Sequence, residues 1–389
     1  MTHGPIGSAG TLDADEVAAE VAAAVRLAEG PAGVRAVVRA LARGAASTRA
    51  VGRATSLPLP LVAAVAGELR SRGVLTRDRP TRLTPAGAAA FGEDAAGVSG
   101  RCPACGGLGS VVGDLGLAQA LESIAAGVPA VRVELDQTHC TVSTKVRRVL
   151  AMHDAGALVG RRVMVLGDDD LVSLAVAAFA AAHGAGPASL TVVDVDPALV
   201  RFLGDLLADA PFPAEVVEHD LRSPLPDGLR GTADTVETDA PYTVGGASLF
   251  LTRAVEALRP GGGGDVLLSL GVRSPGETVR LQQAMTDLGL AVRSLVPGFN
   301  EYLGAGALGG TSALWHLVST PPAPPSAPET LYTGGTTSRP YVCAGCGVTR
   351  TVGAGRRWPT VGQLKRQGCP SCGGHTFRPR PRSSAGRRR

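Results

Sequence analysis

At 389 residues the chain is long enough for more than one domain around a buried core. Aromatics make up only 3%, and the basic residues are almost all arginine, with Lys145 and Lys365 the only lysines, which reads as coding bias rather than function. The net charge of +4 hides an asymmetry: residues 161–320 carry 19 acids against 10 arginines, whereas residues 321–389 carry 12 basic residues and one acid, Glu329. An acidic central region favours cationic ligands, and the basic end suits nucleic acid or a fold back onto that region. No early segment joins a positive stretch to an apolar one, and the longest apolar run, near Ser173 to Ala182, is too short to cross a bilayer. No membrane role and a cytoplasmic location are therefore expected. Six of the seven cysteines fall in three Cys-x-x-Cys pairs, a pattern of metal ligands in a reducing compartment rather than of disulfides.

In chain order, residues 1–11 read as a disordered start, and residues 12–98 as a winged-helix-like N-terminal domain. Helices are predicted at Leu12 to Arg26, Val34 to Ala42, Ser47 to Thr55 and Leu59 to Arg72. A short β-wing follows at Gly73-Val74-Leu75 and at Thr81 to Gly87. The candidate recognition helix, Leu59 to Arg72, is largely apolar, so a scaffold or homodimer role competes with DNA binding. Residues 99–160 form a connecting segment. Its first pair, Cys102 and Cys105, cannot complete a tetrahedral zinc site alone; His139 and Cys140 or another chain would have to supply the rest, and the alternative is a tight Gly-rich turn with two free thiols. Helices are predicted at Ala118 to Ala126 and Ser143 to Gly156.

Residues 161–320 read as an α/β, doubly wound domain, with strands at Arg162 to Leu166, Ser189 to Val193, Ala214 to Val217, Thr235 to Glu237 and Asp265 to Leu270. The turn after the first strand, Gly167-Asp168-Asp169-Asp170, replaces the glycines of a phosphate loop with three carboxylates. Three adjacent acids repel one another unless a cation lies among them or they face water, so a cationic ligand is expected; simple capping of the next helix is the plainer alternative. Further acids end the following strands. Asp194 suits a ribose hydroxyl, Asp220 the adenine side, and Asp239 opens the run Asp239-Ala240-Pro241-Tyr242. Carboxylates at four successive strand ends are more specific than a lone glycine pattern, and the order resembles a Rossmann-like adenosylmethionine-type transferase domain without a phosphate loop.

The segments Gly167 to Leu171, Asp194, His219-Asp220-Leu221-Arg222, Thr238 to Thr243 and Phe299-Asn300-Glu301-Tyr302 together resemble the branched-chain polyamine synthases, also called bis(aminopropyl)spermidine synthases. Asp136-Gln137-Thr138 and Met152-His153-Asp154 fit the same family, and the likeness runs from about Val34 to His316. It departs at Ala240, where the family typically shows a second proline, which alters the shape of the amine pocket but not the position of Asp239. The resemblance implies transfer of an aminopropyl group from decarboxylated adenosylmethionine to a polyamine such as spermidine, releasing methylthioadenosine. It assigns Asp239 as the group that accepts the amine proton, with Tyr242 as its aromatic wall. Asp168, Asp169 and Asp170 would hold the aminopropyl ammonium or the polyamine, and Glu301 and Tyr302 would form a polyamine lid.

Two other functions compete. Asp239-Ala240-Pro241-Tyr242 is close to the motif of amino-methyltransferases, although no cation lies in the Gly167 turn to hold a methionine carboxylate. A non-enzyme reading makes the chain a polyamine-sensing regulator. Beyond the domain, Pro321 to Pro340 starts as a Pro-rich linker. In residues 341–378, Cys343 and Cys346 are followed after 22 residues by Cys369 and Cys372, the spacing of a structural zinc ribbon, with a redox dithiol as the alternative. Residues 379–389 read as a basic disordered tail.

Overall fold

The computed structural model describes residues 12–45, 47–55, 57–78, 80–92, 100–101, 115–124, 127–132, 135, 137–271, 274–303, 310–321, 339–353, 356–358 and 360–380. Cys102, Cys105 and Asp136, the start, most of the Pro-rich linker and nearly all of the basic tail lie outside them. The chain divides into two compact units, Met1–Pro322 and Ala323–Arg389.

The first unit opens with α1 (Ala14–Val25), α2 (Gly30–Ala42), α3 (Thr48–Thr55), α4 (Leu59–Ser71) and α5 (Pro85–Phe91). Asp13 starts α1 by accepting the Asp15 and Glu16 amides. These helices share their own core, with Val21, Val34, Val37, Val65 and Leu69 at its centre. The predicted wing is shorter than expected, a single bridge between Leu75 and Leu83. Thr84 and Pro85 explain why. The Thr84 hydroxyl accepts the Gly87 amide at 3.0 Å and Pro85 takes the first helical position, so Pro85-Ala86-Gly87 starts a helix instead of extending a strand.

The larger layer follows as α6 (Leu115–Ile124), α7 (Val142–Ala155), β1 (Arg162–Leu166), α8 (Val172–His183), β2 (Ser189–Asp194), α9 (Pro197–Leu207), β3 (Ala214–Glu218), β4 (Thr235–Asp239), α10 (Val244–Ala257), β5 (Asp265–Leu270), α11 (Pro275–Asp287), β6 (Leu290–Glu301) and β7 (Thr311–Ser319). The seven strands run in the order β3-β2-β1-β4-β5-β7-β6. The first five are parallel, and β7 is antiparallel to both β5 and β6. This is a doubly wound α/β arrangement, as expected from the strand and helix order. One face of the sheet packs α6 to α9 around Val149, Leu150 and Phe179, and the other packs α10 and α11 around Leu251, Met285 and Trp315. Removing the fully buried Phe179 ring would cost about 3–5 kcal/mol. Because β7 inserts between β5 and β6, the end of β6 and the start of β7 reach the same sheet edge as the carboxyl ends of β1 to β5, where ligands collect in such sheets.

The second unit is a small three-stranded antiparallel sheet of β8 (Arg339–Cys343), β9 (Thr349–Val352) and β10 (Phe377–Pro379), in the order β10-β8-β9, with α12 (Val361–Gln367). Its core is little more than Val352, Trp358, Leu364 and Phe377 with two buried cysteines. Among the described residues of the chain, no single helix is long and apolar enough to cross a membrane.

Candidate active site

The turn from Gly167 to Leu171 is tighter than an ordinary strand-to-helix connection. Gly167 takes φ +71°, and Leu171 sits at φ +57°, one of two positive-φ residues other than glycine among those described. Such a conformation costs about 1–3 kcal/mol and persists where surrounding contacts fix it. Here the Leu171 amide donates to the Asp168 carbonyl at 2.9 Å, and the Asp168 carboxylate accepts the Val172 amide at 2.6 Å and the Ser173 amide at 3.2 Å.

That geometry sends the three aspartates in different directions. Asp168 is wholly buried as the cap of α8. Asp170 points into the protein, where it pairs with Arg148 at 2.7 Å and accepts the Cys140 amide at 2.5 Å. Only Asp169 lines the cavity of about 380 Å³ above the sheet edge. The expectation that all three carboxylates hold a ligand is therefore corrected. The dipole and free amides of α8 claim one, and an internal cation claims another. Glu301 is corrected as well: its side chain is exposed, lies 3.7 Å from Arg147 and does not line the cavity. Tyr302 lines the cavity, and its hydroxyl donates to Asp239 Oδ2 at 2.5 Å.

The other expected residues do meet at the cavity. Asp194, ending β2, lines it while accepting the Asp168 and Asp196 amides at 2.9 and 2.8 Å. Asp220 lines it from beyond β3, where Arg222 at 2.5 Å holds its carboxyl down at about 2. Asp239 lines it from the last position of β4 and Pro241 and Tyr242 from the loop beyond, with Gly167 and Asp169 from beyond β1. The Tyr242 and Tyr302 rings meet edge to face at 6.0 Å.

Two residues that matter here were not anticipated. Arg148 on α7 is 1% exposed and reaches Asp170, Asp239 and Glu237, and Lys145 one turn earlier donates to the Asp170 carbonyl. The one available signal was two cations three residues apart among Val146, Val149 and Leu150, on a helix face that should be apolar. The segment before α7 also matters. Thr138 donates its amide to Asp169 Oδ2 at 2.7 Å, and Thr141 donates to the Glu301 carbonyl at 2.8 Å, stitching the turn after β1 to the end of β6.

Burial dominates the electrostatics. It pushes Asp239 up to about 7 against the pull of Arg148, with Asp170 adding to the rise. Burial likewise raises Asp168 to about 7 and Glu237 to about 8. In Asp170 burial also pushes upward, but Arg148 and Lys145 prevail and its carboxyl lies below the usual range. Three raised carboxyls bind protons in the folded chain that they would release on unfolding, so their stabilising contribution is full below about pH 4 and is lost as pH climbs through 7 to 8. The ligand-free melting temperature should therefore fall by on the order of 5 °C or more between pH 5 and pH 8. Differential scanning fluorimetry across that range checks this, and a flat or rising profile contradicts it.

Residues 116–339 match the family described as the branched-chain polyamine synthase A C-terminal domain. The chain belongs to the branched-chain polyamine synthase family. It is 32% identical over 295 residues to the N(4)-bis(aminopropyl)spermidine synthase of Thermus thermophilus, covering 74% of this chain and 82% of that one. An uncharacterized protein of Methanocaldococcus jannaschii is 31% identical over 369 residues, 92% of this chain and 91% of its own. The corresponding synthase of Thermococcus kodakarensis is 32% identical over 188 residues, and the match spans 52% of that relative. Among solved structures, the Thermus thermophilus branched-chain polyamine synthase in complex with N4-aminopropylspermidine and 5'-methylthioadenosine is 29% identical, with a TM-score of 0.49, covering 78% of this chain and 92% of that one.

Proposed function

We propose that the chain transfers the aminopropyl group of decarboxylated adenosylmethionine to an amine of a polyamine, with spermidine as the acceptor class. The observation that carries this is the charge of the cavity. Asp169, Asp194, Asp220 and Asp239 line it, and the sole cation among its lining residues, Arg222, is already paired with Asp220. A sulfonium donor with a free ammonium and a polycationic acceptor both fit such a lining. Among the described residues, a methionine carboxylate, which a methyl donor brings, has no unpaired cation in the lining to meet it. Membership of the family and the likeness to the Thermus thermophilus synthase support the same reading.

In the reaction, the acceptor nitrogen attacks the propyl carbon next to sulfur, a C–N bond forms, the C–S bond breaks, and neutral methylthioadenosine leaves. The attacking amine must first lose a proton, although a free amine holds it to about pH 10. Asp239 is the acceptor of that proton, since a carboxyl near 7 can both take and release it at neutral pH. Asp169 faces the ammonium ends, Asp194 the ribose, Asp220 the adenine side, and Tyr242 walls the amine. Helices α1 to α5 form the winged-helix-like module, which serves as scaffold. Mass spectrometry of products made with spermidine tests the reading. Aminopropylated spermidine plus methylthioadenosine should appear with decarboxylated adenosylmethionine alone; a methylated product from adenosylmethionine would make the chain a methyltransferase, and no product despite tight polyamine binding would make it a regulator.

The second unit is assigned a structural zinc. The sulfurs of Cys343, Cys346, Cys369 and Cys372 all lie within 4.8 Å of one another. The Cys343–Cys372 and Cys346–Cys369 separations are 3.6 and 3.7 Å. Tetrahedral ligands at about 2.3 Å from zinc stand about 3.8 Å apart, so the donor set fits the ion, whereas a disulfide needs about 2.05 Å.

A further inference from the structure

We infer that Arg148 is the positioning residue of the transferase site, holding Asp239 by one carboxylate oxygen through a closed ring of side chains. The guanidinium uses all three of its nitrogens. Nε donates to Asn300 Oδ1 at 2.9 Å, one terminal nitrogen pairs with Asp170 at 2.7 Å, and the other donates to Asp239 Oδ2 at 2.6 Å and to the Tyr302 hydroxyl at 3.0 Å. The ring closes around it. Asn300 Nδ2 donates to Ser312 Oγ at 2.9 Å, Ser312 Oγ lies 2.8 Å from the Tyr302 hydroxyl, and that hydroxyl donates to the same Asp239 oxygen. The members come from α7, β4, the end of β6 and the start of β7, so the ring pins four elements at the sheet edge.

Burying a cation costs several kcal/mol, and an apolar side chain would fill the space under the sheet edge without that cost. Arg148 therefore calls for a reason beyond packing. Of the three acids it touches, Asp170 and Glu237 are sealed from the cavity, and Asp239 alone reaches it. The charge of Arg148 acts on the reacting groups through Asp239. A planar fork suits this task better than an ammonium, because it can meet three acceptors at fixed angles while fixing the rotamer of the carboxylate.

Every titratable group facing Asp239 bears on the outcome. Asp169 and Asp170 face it from the turn after β1, Glu237 from β4, Tyr242 from the following loop and Tyr302 from the end of β6. Lys145 and Cys140 act on it through Asp170. Apart from Lys145, Arg148 is the one cation in this set, so without it the acids and the burial would push the Asp239 carboxyl further up.

The inference rests on the aminopropyl-transfer reading with Asp239 as proton acceptor, and its test separates the two. In the full-length enzyme, the acid limb of kcat/KM against pH is recorded for wild type, Arg148→Lys, the paired variant Arg148→Gln with Glu237→Gln, and Tyr302→Phe. The paired variant removes the cation together with one of the buried carboxyls it touches, and Lys145 remains as the cation acting on Asp170. Arg148→Lys should lower kcat at pH 7 at least about tenfold with KM for spermidine changed less than twofold. It should also move the acid limb up by about one pH unit, so that activity recovers towards pH 9. The paired variant should move the limb the same way and further, and Tyr302→Phe, which removes the second donor to the same oxygen and no charge, should move it less. An acid limb unmoved in all three variants, or a loss equal at every pH, would leave Arg148 a purely structural residue and overturn the inference. A wild-type enzyme with no transfer activity would overturn the underlying reading instead, and the titration of 13C-labelled aspartate carboxyls then still decides whether Arg148 sets Asp239.

Discussion

Asp239→Asn should reduce kcat about 10²–10⁴-fold, the usual worth of a positioned proton acceptor, while the chain stays folded. The amide has the shape of the carboxylate and still offers an oxygen to Arg148 and Tyr302, so the contacts at 2.6 and 2.5 Å survive. It removes a negative charge from a cluster in which Asp170 already raises Asp239, so the variant should melt no lower than wild type at pH 8. Loss of turnover combined with unchanged or higher stability is hard to explain by a structural role. The decisive comparison is Asp169→Asn. Asp169 also faces the cavity, and its carboxyl is raised well above the usual range, first by burial and then by Asp170 and Asp239. If Asp169 only attracts the cationic ends of the substrates, the amide there should raise KM for the polyamine more than it lowers kcat. Steady-state kinetics on both variants, with melting curves beside them, settle the roles. A collapse of kcat in Asp169→Asn with Asp239→Asn near wild type would transfer the proton to Asp169.

The doubly wound core was legible because it depends on local signals. The apolar runs at Arg162–Leu166 and Asp265–Leu270 are buried strands of the expected length. Asp239 stands at the carboxyl end of β4, Thr235–Asp239, where the strand order put it, although that strand holds only one apolar residue, Val236. Strands β6 and β7 were not anticipated. β6 mixes exposed and buried positions, contains Pro297 and Gly298, and shifts register twice against its partner, so its period of two is broken. The fates of Asp168, Asp169 and Asp170 were also hidden, since three identical neighbours give no pattern. What separates them is the left-handed turn at Leu171 and a cation 22 residues upstream of Asp170. Tyr302 was assigned to the site for a different role. The reach of its hydroxyl to Asp239 spans 63 residues and depends on β7 lying between β5 and β6.

Replacing Cys343 and Cys369 together by serine should empty the second unit of zinc and unfold it. A sheet of three short strands with four apolar core side chains buries too little surface to offset the entropy of ordering the chain. A structural zinc supplies apparent folding energy of about 10–16 kcal/mol in comparable small domains, so its removal decides whether the fold exists. The two buried cysteines, Cys343 and Cys369, belong to the core itself as well as to the sulfur cluster, so the variant strikes both. The first unit draws its cores from other residues and should keep its own melting transition. Zinc measured by inductively coupled plasma mass spectrometry should fall from about one ion per chain to none, and limited proteolysis should remove the second unit while leaving the first intact. A second unit that stays protease-resistant in this variant, or wild-type protein that holds no metal with all four thiols reduced, would contradict the site. Adding a chelator to the wild-type chain provides the matching control, since it removes the ion without touching the packing of Trp358, Leu364 and Phe377, and the same unfolding of the second unit alone would assign the stability to the metal rather than to the cysteine side chains.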